Sequence, residues 1–174
     1  LPVLNRRVVE YAVAVGLALN CEISRTTFFD RKNYFYPDNP QNYQISQLYL
    51  PIAQNGFLTL SDTSPAKIIR IHEIHMEDDA GKLIHSSDGY SLIDYNRSGI
   101  PLLEIVTEPD FRSANEVIAF LEQFNAVVLT DLRKSVKWIR KQTPAHNYPS
   151  SIRSNPVREF RYRLKGRLPV FQHP

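Results

Sequence analysis

The sequence has very little cysteine: Cys21 is its only one among 174 residues. A single cysteine excludes an internal disulfide framework and is consistent with a reducing compartment. No apolar run is long enough to cross a bilayer, and the opening "LPVLNRR" has no signal-peptide pattern. We therefore expect a soluble protein with no membrane partner. The chain opens on Leu1, which leaves open whether a targeting signal precedes it.

Positive charge is scarce in the first part of the chain and negative charge in the last. Residues 1–124 hold 10 Lys and Arg against 16 Asp and Glu, a net charge of −6, whereas residues 125–174 hold 11 against 2, a net charge of +9. We interpret residues 1–124 as one domain and residues 125–174 as a basic tail. A tail of this composition is typical of a disordered, solvated segment and also of a surface for nucleic acid.

Two segments have the periodicity of helices. Apolar residues from Val8 to Leu19 recur at helical spacing behind Asn5, a residue type favoured at the N-cap. In the second segment, Ser113 is followed three residues later by Glu116, which is the pattern of a capping box, and an apolar stripe comes next. The sequence therefore predicts one helix near its start and another beginning near residue 113.

Strands are predicted between these helices. The stretches "FFDRKNYFYPD" and "NYQISQLYLPI" flank a turn that contains Pro37 and Pro40, "NGFLTL" is typical of a hairpin arm, and "LLEIV" predicts a further strand. Strands outnumber helices and follow one another directly. The sequence therefore predicts an α+β fold, with a largely antiparallel sheet and flanking helices.

The clearest predicted strand is "KIIRIHEIHMEDD". Strict alternation would divide it into two faces, one with Ile71, Glu73, His75 and Glu77 and the other with Arg70, His72, Ile74 and Met76. His75 and Glu77 would then lie about 7 Å apart along the strand, a spacing that suits neighbouring ligands of one ion. Acids follow at once, and such a cluster is costly without a cation. The alternative is an exposed strand end with solvated acids.

The stretch "LIDYNRSGIPLLEIV" places Glu104 in an apolar run, where an unpaired carboxylate is costly. Oxygen ligands from Glu77 and Glu104 would suit Mg²⁺, which keeps waters and recruits substrate phosphates. Arg97, on the preceding turn, could reach a phosphate or carboxylate while Asp94 orients it. The alternative is a structural pair of Asp94 and Arg97, with Glu104 capped by backbone donors.

Three long motifs carry a family resemblance. "FDRKNYFYPDNPQNYQISQ", "HMEDDAGK" and "DYNRSGIPLLEIVTEPDFRS" closely resemble the B subunits of the aspartyl/glutamyl-tRNA amidotransferases, and the resemblance runs from residue 1 to about residue 123. It implies a catalytic domain of the glutamine synthetase and guanido kinase type. It also implies the partner subunits A and C, and a location in the cytoplasm, or in a mitochondrion or plastid if the source is organellar.

The activity implied by the resemblance is transamidation. Such a domain uses ATP and Mg²⁺ to phosphorylate the side-chain carboxylate of mischarged Glu-tRNA or Asp-tRNA, and ammonia then displaces the phosphate to give Gln-tRNA or Asn-tRNA. The resemblance assigns Glu77 and Glu104 as metal ligands. Lys82, Asp94 and Arg97 also match family positions. We expect Lys82 and Arg97 to neutralise phosphate oxygens and Asp94 to hold Arg97.

The family's tyrosine-rich segment falls on Tyr34, Tyr36, Tyr43 and Gln44. These residues would shape the pocket around the aminoacyl end of the tRNA, since aromatic faces suit stacking on bases or ribose. Packing of strands is the alternative role of each tyrosine.

Two departures from the family pattern affect what we expect of the isolated chain. A "GLEVH"-type segment, which would add a glutamate and a histidine to the metal site, belongs before the point at which this sequence starts. The tail after residue 124 does not align with the family's later segments. Either a frame change in the source gene or a genuine basic extension would explain this. We therefore expect no activity from the isolated chain. The alternative function is a non-catalytic module that binds RNA or a partner through the tail.

Overall fold

The computed structural model describes residues 4–61, 65–132 and 161–165. In chain order its elements are α1 (Arg6–Ala18), β1 (Glu22–Ile23), β2 (Asp30–Asn33), β3 (Tyr43–Ser46), β4 (Ala53–Leu60), β5 (Lys67–Asp78), β6 (Lys82–His85), β7 (Ser91–Asp94), β8 (Pro101–Thr107), α2 (Ala114–Leu132) and β9 (Arg161–Lys165). Every strand pair among these elements is antiparallel. The predicted α+β fold with a largely antiparallel sheet is confirmed.

The main sheet has five strands in the order β1-β4-β5-β8-β9, and β2–β3 and β6–β7 form separate two-stranded sheets. The 12-residue strand β5 is the longest and lies in the middle, with β4 along one edge and β8 along the other. Side chains on β5 and β8 are therefore held by strands that are hydrogen-bonded on both sides.

Both helices contribute to one hydrophobic core with the main sheet. Helix α1 begins after Asn5, whose side chain accepts a hydrogen bond from Arg7 N at 2.9 Å, as the N-cap prediction requires. Its apolar stripe is buried in the same hydrophobic cluster as Phe120 and Phe124 of α2. No helix in the described ranges is long and apolar enough to cross a membrane.

The start of α2 differs in detail from the predicted capping box. Ser113 Oγ accepts from Glu116 N at 3.3 Å, which is the predicted half of the motif. The Glu116 carboxylate, however, accepts from Arg112 N at 2.6 Å and pairs with Lys67 at 2.7 Å. Lys67 lies at the start of β5, so this carboxylate joins the helix to the main sheet.

A β-bulge divides β5 into two halves. The register changes from Ile71 opposite Thr107 to Glu73 opposite Val106, so one extra residue is inserted between them. Strict alternation was therefore the wrong prediction across this point. Ile71 is in the hydrophobic core, and so is Ile74, which was predicted to lie on the opposite face. Beyond the bulge the alternation is regular: Ile74 and Met76 lie in the core on one face, and Glu73, His75 and Glu77 lie on the other, which we call the acidic face.

The predicted boundary after residue 124 lies within α2, so no helix or strand ends there. Residues of the basic tail form β9, which pairs with β8 and places Arg163 in register with Glu104. Arg161–Lys165 thus form a strand within the tail, and the origin and the state of the tail as a whole stay a prediction. The rest of that tail, at 133–160 and 166–174, lies outside the described residues.

Candidate metal centre

The site is formed by the half of β5 that follows the bulge and by the middle of β8. His75 and Glu104 are register partners on these two strands, and Glu77 lies two residues beyond His75 on the same face. One ligand atom from each of the three side chains lies within 4.8 Å of the others, and all three residues are buried. Because backbone ladders fix both strands, the three groups converge without any loop having to close.

The imidazole of His75 lies among carboxylates. Its Nε2 is 3.4 Å from Glu77 Oε2 and 3.7 Å from Glu104 Oε2, and its Nδ1 is 3.4 Å from Glu73 Oε1. Burial by itself lowers the pKa of His75, but hydrogen bonding and charge interactions with Glu104, Glu73 and Glu77 outweigh that effect and raise the pKa to about 11. Without a bound cation the imidazole therefore holds a proton that neutralises part of the acid cluster, and a cation that binds at Nε2 would displace that proton.

Strand β3 and the residue after it support the cluster from one side. Ser46 Oγ donates to Glu77 Oε2 at 3.4 Å, and Gln44 donates to the backbone carbonyl of Asp78. Gln47, directly after the strand, accepts a hydrogen bond from Met76 N at 2.9 Å. All three of these polar residues are buried, so they hold the end of β5 in place.

The donor set fits a divalent cation. Two carboxylates suit Mg²⁺, which takes oxygen ligands and keeps several waters, while an imidazole beside carboxylates also suits Mn²⁺ and other first-row ions. Buried acids so close together are costly unless a cation neutralises them. His75, Glu77 and Glu104 would hold such an ion.

The motifs around this cluster match known proteins. The sequence model of the family described as the GatB/GatE catalytic domain matches residues 1–138. The chain belongs to this family. The match extends beyond residue 123, where the resemblance was expected to end, and it includes all of α2.

Curated relatives support the GatB assignment. Each is named as the B subunit of an aspartyl/glutamyl-tRNA(Asn/Gln) amidotransferase. The chain is 65% identical over 129 residues to the relative from Agathobacter rectalis, 67% identical over 131 residues to that from Lachnospira eligens, and 56% identical over 128 residues to that from Geobacillus thermodenitrificans. Each alignment covers 74% of this chain and 27% of the relative. The chain thus spans about a quarter of the length of these GatB relatives.

Of the site residues predicted in this GatB domain, the structure brings Glu77 and Glu104 together, and their role as metal ligands stays a prediction. The prediction that Asp94 holds Arg97 is wrong. Arg97 donates to the backbone carbonyls of Ala80 at 3.0 Å and Gly81 at 2.9 Å, and its Nε lies 3.7 Å from Asp79 Oδ2. Arg97 therefore fixes the loop that follows β5.

Asp94 and Lys82 lie away from the main sheet, opposite each other on β6 and β7. The Asp94 carboxylate accepts from Asn96 N at 2.9 Å and from Asn96 Nδ2 at 2.6 Å, so it stabilises the turn that leads to Arg97. Lys82 is exposed at the start of β6. Its predicted contact with phosphate stays a prediction.

The tyrosine-rich segment surrounds the turn between β2 and β3. The Tyr43 ring lies 5.0 Å from the Arg31 guanidinium, in a cation–π contact, and Tyr34 is half-buried. Tyr36 is exposed, and Gln44 supports β5 as described above. The structure thus gives Gln44 and Tyr43 packing contacts within the fold, and a role of the four residues in holding a substrate stays a prediction.

Two polar residues of the site were missed by the sequence analysis. Ser46 contacts Glu77, and Glu73 contacts the far side of His75. Ser46 lies two residues after Gln44 in "YQISQ", so the two side chains share one face of the strand. That spacing alone does not show whether the hydroxyl is buried or exposed. The sequence analysis placed Glu73 on the same face as His75, but no sequence pattern indicated a contact between the two side chains.

Proposed function

We propose that this chain is part of the catalytic domain of a tRNA-dependent amidotransferase, the part that holds the divalent cation used with ATP. The proposal rests on one observation: a buried cluster of His75, Glu77 and Glu104 in a chain that belongs to the GatB/GatE catalytic domain family. We further propose that the domain has the glutamine synthetase and guanido kinase type of fold.

The reaction would convert Glu-tRNA(Gln) to Gln-tRNA(Gln), or Asp-tRNA(Asn) to Asn-tRNA(Asn). A side-chain carboxylate oxygen takes the γ-phosphoryl group of ATP and ADP leaves. Ammonia then attacks the carboxyl carbon, loses a proton, and displaces inorganic phosphate. A carboxylate is a poor electrophile because it is negatively charged, and the acyl phosphate removes that obstacle.

Each side chain would have its own task in this reaction. Glu77, Glu104 and His75 would hold a divalent cation, which when bound supplies positive charge for phosphate oxygens. Arg97 binds the backbone of the loop that follows β5, close to Glu77 in sequence. Lys82 comes directly after that loop, and its side chain is exposed. Both cations would neutralise phosphate, as phosphoryl transfer depends mainly on positioning and charge stabilisation.

The partners belong to the same proposal. The relatives are named as one subunit of a larger amidotransferase, and we propose that the domain works with subunits A and C, with an amidase subunit supplying ammonia from glutamine. The mischarged tRNA would present its aminoacyl end to the acidic face of the main sheet.

The proposed function can be tested in a chimera. Residues 4–132 would replace the matching segment of the Agathobacter rectalis relative, which is then assembled with the other subunits of that enzyme. We expect ATP-dependent formation of Gln-tRNA with ammonium as the nitrogen donor, and its loss on Glu104→Gln. The matched control is Glu108→Gln, which removes the same charge from a carboxylate that contacts the exposed His72. Equal turnover by the Glu104→Gln chimera and its parent would contradict the proposed function.

A further inference from the structure

The imidazole of His75 has two functionally different sides. Its Nε2 faces Glu77 and Glu104, the carboxylates of the proposed metal centre, and its Nδ1 faces Glu73. The two nitrogens of an imidazole point in different directions, so a group beside Nδ1 cannot share an ion with one beside Nε2. Glu73 therefore contacts the histidine without belonging to the ligand cluster.

Exposure separates Glu73 from the ligands in the same way. The side chain of Glu73 is 23% exposed, whereas those of Glu77 and Glu104 are 1% and 2% exposed. The 3.4 Å between Glu73 Oε1 and His75 Nδ1 is an ion-pair distance, and the pair lacks the alignment of a full hydrogen bond. Glu73 thus lies at the rim of the cluster, close enough to accept a hydrogen bond from Nδ1–H after a small rotation of its carboxylate.

The bulge in β5 is what places Glu73 there. Regular alternation would put Glu73 on the face of Ile71, which is in the hydrophobic core. The extra residue before Glu73 turns Glu73, His75 and Glu77 together to the opposite face of the sheet instead. The bulge therefore moves a carboxylate, an imidazole and a second carboxylate, which alternate along one strand, away from the core as a set.

We propose that Glu73 is a positioning residue, which accepts a hydrogen bond from the Nδ1–H of His75 and so directs the Nε2 lone pair at the metal ion. Histidines that bind metals commonly donate their other ring N–H to a carboxylate or carbonyl, and that contact fixes both the tautomer and the orientation of the ring. Glu77 and Glu104 need no such partner because either carboxylate oxygen can bind the ion. This proposal rests on the proposed metal centre.

The test uses the purified 174-residue chain and Mn²⁺ as the probe. Binding is followed by the loss of the free Mn²⁺ signal in electron paramagnetic resonance, and the imidazole by its nitrogen modulation in pulsed spectra at saturating Mn²⁺. We expect Glu73→Gln to weaken binding about 10- to 100-fold and to reduce the nitrogen modulation. Glu73→Asp should recover part of both, and Glu108→Gln should change neither.

A double substitution distinguishes positioning from simple charge attraction. If Glu73 acts through the imidazole, Glu73→Gln has no further effect on Mn²⁺ affinity in a His75→Ala background. A full additional loss in that background, or unchanged nitrogen modulation in Glu73→Gln, would overturn the positioning role while leaving the metal centre intact. Absence of Mn²⁺ binding by the unsubstituted chain would overturn both. Circular dichroism of each variant shows that the comparison is made between folded proteins.

Discussion

His75 and Glu104 lie opposite each other on neighbouring antiparallel strands, with His75 Nε2 3.7 Å from Glu104 Oε2. The two residues are far apart in sequence, so the contact is made by strand pairing rather than by a local motif. Both strands have hydrogen-bonded neighbours on each side. A site built on such strands is held more firmly than one built on loops.

Binding of a divalent cation should stabilise the fold. Because the ion binds the folded chain, we expect Mn²⁺ at about 100 times its dissociation constant to raise the free energy of unfolding by about 2.7 kcal/mol. Glu77→Gln should remove most of this increase. Thermal unfolding with and without Mn²⁺ measures it, and Glu108→Gln should retain it. An equal increase in the Glu77→Gln variant would place the ion elsewhere.

The pair of Arg70 and Asp110 should make stability depend on pH. Hydrogen bonds from Arg70, with Arg70 Nη2 2.7 Å from Asp110 Oδ1, hold the pKa of Asp110 below its ordinary value. A lowered pKa contributes stability that is fully present above the unfolded value of about 3.9 and is lost as the pH falls through the folded value. Asp110→Asn should therefore lower the unfolding temperature by a few degrees at pH 7 and by much less near pH 2.

Unfolding curves from pH 2 to pH 7 test this dependence. The control is Asp88→Asn, because Asp88 lies in the turn between β6 and β7 and contacts the hydroxyls of Ser86 and Ser87. We expect the difference in unfolding temperature between Asp88→Asn and the parent chain to vary little with pH. A pH-independent deficit in Asp110→Asn would mean that packing, not charge, is what the substitution removes.

Arg97→Lys should loosen the loop after β5 although it keeps the charge. The guanidinium donates to two backbone carbonyls and lies near the Asp79 carboxylate, whose side chain is 1% exposed. A lysine ammonium cannot reproduce the two parallel donors of the guanidinium. We therefore expect the free energy of unfolding to fall by about 1–3 kcal/mol. Faster amide exchange at Gly81 and Gly99, whose N–H groups bond to Asp38 and Asp79, would locate the effect. The exposed Arg6→Lys should be neutral, and slow exchange at both glycines in Arg97→Lys would refute the loop role.

Gly56→Ala should destabilise the contact between β4 and the end of α1. A Cβ there would lie 2.2 Å from Cys21 Sγ and 2.6 Å from the backbone oxygen of Leu19, and a backbone oxygen cannot easily move. We expect such overpacking to lower the free energy of unfolding by about 1–3 kcal/mol. Gly16→Ala is the comparison, because its nearest obstacle is the flexible end of Ile23 and alanine favours the helix. Denaturant unfolding that ranks Gly16→Ala as the more harmful would contradict this account.

Local patterns predicted the helices and most of the strands, because an N-cap at Asn5 and alternation in β8 depend on neighbours in sequence. The contact of His75 with Glu104 could not be derived in that way. It depends on the register between two strands, and the bulge shifts that register by one residue. Family motifs supplied Glu77 and Glu104, while the partners of Arg97 depended on a loop conformation that no local pattern specifies. The pairing of β9 with β8 joins segments that are distant in sequence. The composition of the tail showed only that it is positively charged, and it did not indicate a strand.

The bulge in β5 also determines which changes of chain length the site can tolerate. Removing residue 72 would restore an uninterrupted ladder between β5 and β8, in which Ile71 still lies opposite Thr107 and Glu73 still lies opposite Val106. Ile71, Ile74 and Met76 would keep the core face, and Glu73, His75 and Glu77 would keep the other face. The two halves of β5 are therefore in phase because the bulge sets residue 72 outside the alternation. For this strand, the loss of the bulged residue is a change of length that leaves both faces as they are.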